Sequence, residues 1–213
     1  MPVFTDPSTF PAFHELPSAS SLPSSSSLTS SSSTSPPADW FLLAQIKENM
    51  TITKTTLVVR DRAGADFAVT FDDGDHRGLL GSGNGSGEGA APRFRKGHTL
   101  VVPRAARTDR EGEGKKAVVR VPAGRSGGVR VVPGSLEQVL ELGRVLVGME
   151  EESGLAKKCA ACGGPEAEGR PLMRCTGCGA AAYCSKACQV RGWGELGHKS
   201  NCKVVKSIRE IWP

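Results

Sequence analysis

The sequence predicts a mainly β fold: a small antiparallel barrel, OB-like in its strand count, followed by a small cysteine-organised module and preceded by a disordered tail. Three observations carry this reading. Short runs of β-branched and aromatic residues recur between Trp40 and Val132, all seven cysteines fall after residue 158, and a serine tract fills much of the first 37 residues.

The tail comes first. From Ser18 to Ser35, twelve of eighteen residues are serine, and prolines flank the tract. Such a composition has too little apolar surface to offset the entropy of ordering it, so residues 1–37 are predicted to be disordered. No Lys or Arg precedes Lys47, whereas Asp6 and Glu15 are acidic. A secretory signal needs a basic start and an apolar run, and a mitochondrial presequence needs arginines without acids. No stretch approaches the ~20 apolar residues of a membrane span. The expectation is an intracellular protein whose thiols stay reduced.

Residues 38–147 read as one strand-rich domain ending in a helix. Ile52, Thr53, Thr55, Leu57, Val58 and Val59 form a β-branched run, closed by the turn-like Asp61-Arg62-Ala63-Gly64. Phe67, Val69 and Phe71 then alternate as in a half-buried strand. Further runs lie at Thr99–Val102, Ala117–Val121 and Val129–Val132, the last two joined by a Gly-rich segment that predicts a hairpin. Five strands in this span fit a small barrel. Gly78–Pro92 and Thr108–Lys116 read as loops between strands. The first lacks the Gly-Lys-Ser/Thr ending of a phosphate-binding loop, so its glycines point to flexibility rather than to nucleotide binding.

A helix is predicted to start at Ser135, which with Gln138 has the spacing of a capping box. Leu136, Val139, Leu140, Val145 and Leu146 form its apolar stripe, expected to pack on the barrel. Residues 148–158, acidic and then basic, read as a linker.

The formal charge of +5 is unevenly placed: residues 157–213 hold ten Lys/Arg against four Asp/Glu. Those residues also hold every cysteine. Their pattern is Cys159-Ala-Ala-Cys162, Cys175-Thr-Gly-Cys178, Cys184-Ser-Lys-Ala-Cys188 and His198-Lys-Ser-Asn-Cys202. A Cys-x-x-Cys turn delivers two thiolates to one ion, and ligands four apart share a helix face. Eight ligands complete two closed tetrahedra of structural Zn²⁺, with no open position for a catalytic water. An odd cysteine number and short paired spacings argue against a disulfide framework. Seven thiolates and two Zn²⁺ bring the whole chain to about +2, a weak basis for nucleic-acid binding. His14, His76 and His98 have no ligand-spaced partners.

At these positions the sequence resembles the MYND-type zinc finger. The resemblance covers Cys159–Cys202, about a fifth of the chain. It includes Tyr183-Cys184-Ser185, Cys188-Gln189, Trp193 and His198-Lys199 as well as the ligands. Two spacers depart in length, the twelve residues before Cys175 and the Gly194–Gly197 segment, and neither removes a ligand. Spacing alone leaves open which pairs share an ion. The resemblance implies an interleaved cross-brace, with Cys159, Cys162, Cys184 and Cys188 on one zinc and Cys175, Cys178, His198 and Cys202 on the other. It also implies a shallow groove near Gln189 and Trp193 for short proline-containing peptides. The alternative for Trp193 is that it covers the small zinc core. Lys186, Arg191 and Lys199 read as a solvated face. Residues 203–213, with Val204, Val205, Ile208 and Trp212, read as a short amphipathic helix packing back on the finger. A strand-rich region before a C-terminal finger also resembles the layout of small fungal MYND-domain proteins, which assigns no activity.

The function expected is a non-enzymatic adaptor that presents a zinc-built surface to a protein partner. Some lysine methyltransferases carry such a finger within a catalytic SET region, but too little chain surrounds this one for that domain, leaving a subunit role in a methyltransferase or transcriptional repressor complex as a lesser alternative. A RING-type ligase would place its histidine mid-series, whereas His198 is seventh of eight. The other alternative is nucleic-acid binding on the barrel through Phe67, Phe71 and Phe94 with the nearby arginines.

Overall fold

The computed structural model describes residues 1–21, 39–73, 94–110, 112, 114, 116–151, 158–166 and 171–213. The chain forms two compact units, Asp6–Val131 and a second made of Met1–Thr5 with Val132–Pro213. Most of the predicted serine tract and the Gly78–Pro92 loop lie outside the described residues.

The first unit is built on a seven-stranded sheet of β1 (Phe41–Asn49), β2 (Thr56–Asp61), β3 (Asp66–Phe71), β4 (Thr99–Pro103), β5 (Arg107–Thr108), β6 (Val118–Val121) and β7 (Arg130–Val132). Their order is β5-β6-β3-β2-β1-β4-β7. Alternation sets the inner face: Leu42, Ala44 and Ile46 of β1 join Leu57, Val59, Phe67, Val69 and Phe71 in one buried cluster. Val119 and Val121 of β6 join the same cluster as Leu100 and Val102 of β4, although three strands separate β6 from β4. The sheet therefore curls around its own core. It does not close: among the described residues β5 and β7 remain its two edges.

Two strand expectations change here. The sheet is mixed rather than antiparallel, because β3 and β6 pair in parallel, from Ala68↔Val118 to Phe71↔Val121. Parallel neighbours need a long crossover, and here β4 and β5 lie between them in sequence. The hairpin expected between β6 and β7 does not form. Its glycines instead make a 3₁₀ turn at Ser126–Gly128, and the two strands lie near opposite edges of the sheet. By contrast, the Asp61–Gly64 turn does join β2 and β3. Gly64 takes φ +83° there. The buried Asp61 carboxylate accepts from the N–H groups of Ala63, Ala65 and Phe13, at 3.0, 2.9 and 2.7 Å.

That last bond corrects the predicted tail. Phe10, Ala12 and Leu16 are buried, and Phe13 stacks on Phe67 with ring centroids 4.1 Å apart. The entropy argument holds for a serine tract, but the residues before it carry Phe4, Phe10, Phe13 and Leu16, enough apolar surface to dock.

The second unit contains α1 (Leu136–Glu151), the short hairpin β8 (Met173–Arg174) and β9 (Ala182–Tyr183), α2 (Lys186–Gly194) and α3 (His198–Ile211). Ser135 caps α1 through the N–H of Gln138, at 3.2 Å. The Gln138 amide, however, donates to Asn201 of α3 at 2.7 Å. A Cβ at Gly134 would lie 2.7 Å from Val204 of α3, so the two segments approach closely. The domain boundary thus falls at Val132, not after residue 147: α1 belongs with the finger and packs on α3, with Leu136, Val139 and Leu146 buried, whereas Val145 of the expected stripe is 48% exposed. The predicted linker is partly helix, since α1 runs to Glu151. The predicted C-terminal helix starts earlier than residue 203, at the ligand His198 itself. Phe4 completes this core. It meets Trp212 edge-on at 5.1 Å, over Gly143, where a Cβ would lie 2.4 Å from the ring.

Candidate metal centre

Each Cys-x-x-Cys turn is closed by the glycine that follows it. Gly163 donates its N–H to the carbonyl of Cys159 at 2.8 Å, and Gly179 repeats this with Cys175 at 2.8 Å. Both glycines sit at positive φ, +73° and +69°, a conformation in which any Cβ is strained. The backbone thereby folds each cysteine pair into a knuckle with both sulfurs on one side. The Cys-x-x-Cys-Gly pattern occurs twice in the sequence, and these glycines were the readable signal that the ligand spacing alone did not use.

The other four ligands come from helix starts. Cys184 precedes α2, whose first turn is capped by Ser185 accepting from Cys188 N–H at 3.2 Å. So the pair is one loop ligand and one helical ligand, rather than two on a helix face. His198 and Cys202 do share a face of α3, one turn apart. Cross-links hold the parts together: Ala160 N–H donates to Ala182 of β9, and Arg209 donates to the carbonyl of Cys178, at 2.8 and 2.7 Å.

The result is two quartets, Cys159/Cys162/Cys184/Cys188 and Cys175/Cys178/His198/Cys202, each with its ligand atoms within 4.8 Å of one another. This is the interleaved pairing that the resemblance implies. The spacing fits zinc. Thiolates at ~2.3 Å from one Zn²⁺ stand ~3.7 Å apart at tetrahedral corners. Cys162 and Cys184 are 3.7 Å apart, Cys184 and Cys188 3.5 Å, and Cys175 and Cys202 3.7 Å. Cys178 Sγ lies 3.7 Å from His198 Nε2. A disulfide would need ~2.05 Å. No cysteine pair is bonded.

Electrostatics give the same answer. Burial opposes ionisation of Cys159, yet backbone N–H groups, led by that of Cys184, draw it down to about 6. Cys175 likewise falls to about 6 against desolvation, helped first by His198. Their neighbours move the other way. Cys184 is pushed up to about 12, chiefly by Cys188, and Cys202 to about 12, by burial and then Cys175. Ionisation of Cys184 is thus opposed by the sulfurs around it, and that of Cys202 by burial and the sulfurs around it. A divalent cation at the centre removes that conflict and holds every one as thiolate.

Residues 159–202 match the MYND finger family. This segment is a MYND-type zinc finger. The chain is 45% identical over 47 residues to the F-box protein At1g67340 of Arabidopsis thaliana, covering 22% of this chain and 12% of that protein. It is 45% identical over 42 residues to the histone-lysine N-methyltransferase SMYD3 of Homo sapiens, covering 20% of this chain and 9% of that enzyme. The match therefore spans about a tenth of each relative. The MYND finger of residues 159–202 is a protein–protein interaction module, and its two quartets each suit one structural Zn²⁺.

The MYND finger leaves Gln189 and Trp193 outside its metal sites. Both are exposed and lie one turn apart on α2, with Val190 exposed beside them. Trp193 is 42% exposed and meets His198 edge-on at 5.5 Å. Tyr183 also packs in the small core: it is 1% exposed and lies over Gly192, where a Cβ would lie 2.3 Å from its ring. Lys186, Arg191 and Lys199 are exposed, and Arg191 pairs with Glu195 at 3.6 Å. Among the other histidines, desolvation lowers the pKa of His98.

Proposed function

We propose that this protein is a non-enzymatic adaptor whose MYND finger holds a partner protein through a proline-containing peptide on α2. The observation that carries this reading is the exposed Gln189/Trp193 face. The indole is in edge contact with His198, and its free surface is available to proline rings, beside an amide able to hydrogen-bond the peptide backbone. Each tetrahedron takes four protein ligands, which favours a structural over a catalytic metal. Unbonded thiols at zinc-like spacing suit a reducing intracellular compartment. The test is a pull-down with the full chain, before and after chelation. A partner retained only with zinc, and lost in Trp193→Ala with both zincs kept, supports the adaptor. Zinc-independent capture counts against it.

Nucleic-acid binding on an OB-like sheet has less support. Phe67, Phe71 and Phe94, the aromatics that would stack on bases, are 4%, 0% and 2% exposed.

A further inference from the structure

The two quartets are shielded to different extents. In the Cys₃His quartet Cys178 and Cys202 are buried, and Tyr183 and Trp193 both meet His198 edge-on, at 6.1 and 5.5 Å. In the Cys₄ quartet Cys159 is buried, but Cys162 and Cys184 are exposed and Cys188 is half-buried. Cys162 is followed by Gly163 and Gly164, which carry no side chain to cover it; a Cβ at Gly164 would lie 3.4 Å from its sulfur. The two exposed sulfurs also face each other at 3.7 Å, although they stand 22 positions apart in sequence.

Thiolate character and exposure together set how readily a cysteine is oxidised. Zinc binding keeps all four sulfurs of the quartet as thiolates, so exposure is what separates them. A second sulfur close by then decides the product. An oxidised cysteine beside a thiolate closes to a disulfide instead of passing to the irreversible acids.

We propose that Cys162 and Cys184 are an oxidative modification site, at which hydrogen peroxide opens the Cys₄ centre while the Cys₃His centre stays closed. One thiolate of the pair attacks the peroxide, breaks its O–O bond and becomes a sulfenic acid as hydroxide leaves. The other thiolate attacks that sulfur, the S–S bond forms, and a second hydroxide leaves. The pair loses two electrons to the peroxide, and two protons from solvent turn the hydroxides into water. Sulfurs joined in a disulfide no longer bind zinc as thiolates, so Cys159 and Cys188 remain as half a site and the ion is released. The structural consequence falls on α2, which Cys188 in its first turn ties to the Cys₄ quartet, whereas α3 keeps its tie through His198 and Cys202. A thiol reductant reverses the step by exchange at the disulfide. Oxidation of the pair stands on the metal centre alone. Its effect on a partner at Gln189 and Trp193 of α2 rests on the adaptor reading, so the test uses no partner.

The test treats the zinc-loaded full chain with graded hydrogen peroxide and follows it by native mass spectrometry, with alkylation and peptide mapping. The first Zn²⁺ should be lost at least about tenfold faster than the second. The one-zinc species should carry a Cys162–Cys184 disulfide with Cys175, Cys178 and Cys202 unoxidised, and dithiothreitol with added Zn²⁺ should restore the lost ion. Hydrogen exchange of that species should quicken in α2 and stay unchanged in α3. Loss of both ions at one rate, first loss from the Cys₃His quartet, or a disulfide other than Cys162–Cys184 overturns the proposal. So does oxidation straight to sulfonic acids, equal quickening of α2 and α3, or a chain that holds no zinc at the outset. Failure of the adaptor reading leaves every one of these expected results unchanged.

Discussion

Trp193 meets the imidazole of His198 edge-on, with ring centroids 5.5 Å apart, and still leaves 42% of its surface to solvent. His198, a member of the Cys₃His quartet, thus touches an aromatic side chain outside the quartet.

Trp193→Ala should therefore keep both zincs and weaken partner binding by about ten- to hundredfold, the usual cost of ~1–3 kcal/mol for removing a packed aromatic anchor. Gln189→Ala should act in the same direction. Lys186→Ala and Lys199→Ala should chiefly change salt-dependent association rates. Calorimetry with the captured partner peptide, alongside metal analysis, checks this. Loss of zinc in Trp193→Ala would make the indole part of the metal core.

Gly163→Ala and Gly179→Ala place a side chain at φ +73° and +69°, a strain of ~1–2 kcal/mol each. Each should lower zinc affinity about five- to thirtyfold, at the Cys₄ quartet for Gly163 and the Cys₃His quartet for Gly179. Gly194→Ala has open space around its Cβ and no positive φ, so it should be close to neutral. Competition with a chromogenic chelator reads all three.

Cys175→Ala or His198→Ala should unfold the finger unit, because zinc binding supplies much of the folding free energy of so small a domain. With the boundary at Val132, α1 should lose protection together with α3. Hydrogen exchange should show this while β1 to β4 stay protected. Loss of protection throughout the sheet would place the boundary elsewhere.

Phe4→Ala should destabilise the finger unit by ~3–5 kcal/mol, since a fully buried ring over Gly143 and Trp212 leaves a cavity behind. Chemical denaturation monitored on Trp212 would measure it. An unchanged midpoint would mean the first five residues contribute nothing to that core.

The metal sites were legible because thiolate chemistry restricts spacing: Cys-x-x-Cys and ligands four apart have few other uses. Their pairing was not, since interleaving is decided by contacts distant in sequence, such as Ala160 with Ala182. The sheet was harder to read. Strand β1, which pairs with β2 and β4, is not readable from the sequence, because Phe41–Asn49 mixes Leu, Ala, Gln, Lys and Glu, residues of good helix propensity that tertiary packing overrides. Ile52 and Thr53 were expected in β2, yet Ile52 is 87% exposed in the turn before it, since β-branching signals compatibility with a strand, not membership. The parallel β3–β6 pair is a long-range choice that carries no local signal. Phe4 looked like part of a tail because its partners, Gly143 and Trp212, lie at the other end of the chain.

The central claim is that eight side chains hold two structural zinc ions. Native mass spectrometry of the full chain tests it most directly. The account predicts a mass increase of two Zn²⁺ per chain with all seven cysteines unbridged, because both quartets are closed tetrahedra at zinc spacing. A single zinc per chain, or a metal-free folded chain carrying disulfides, would contradict it.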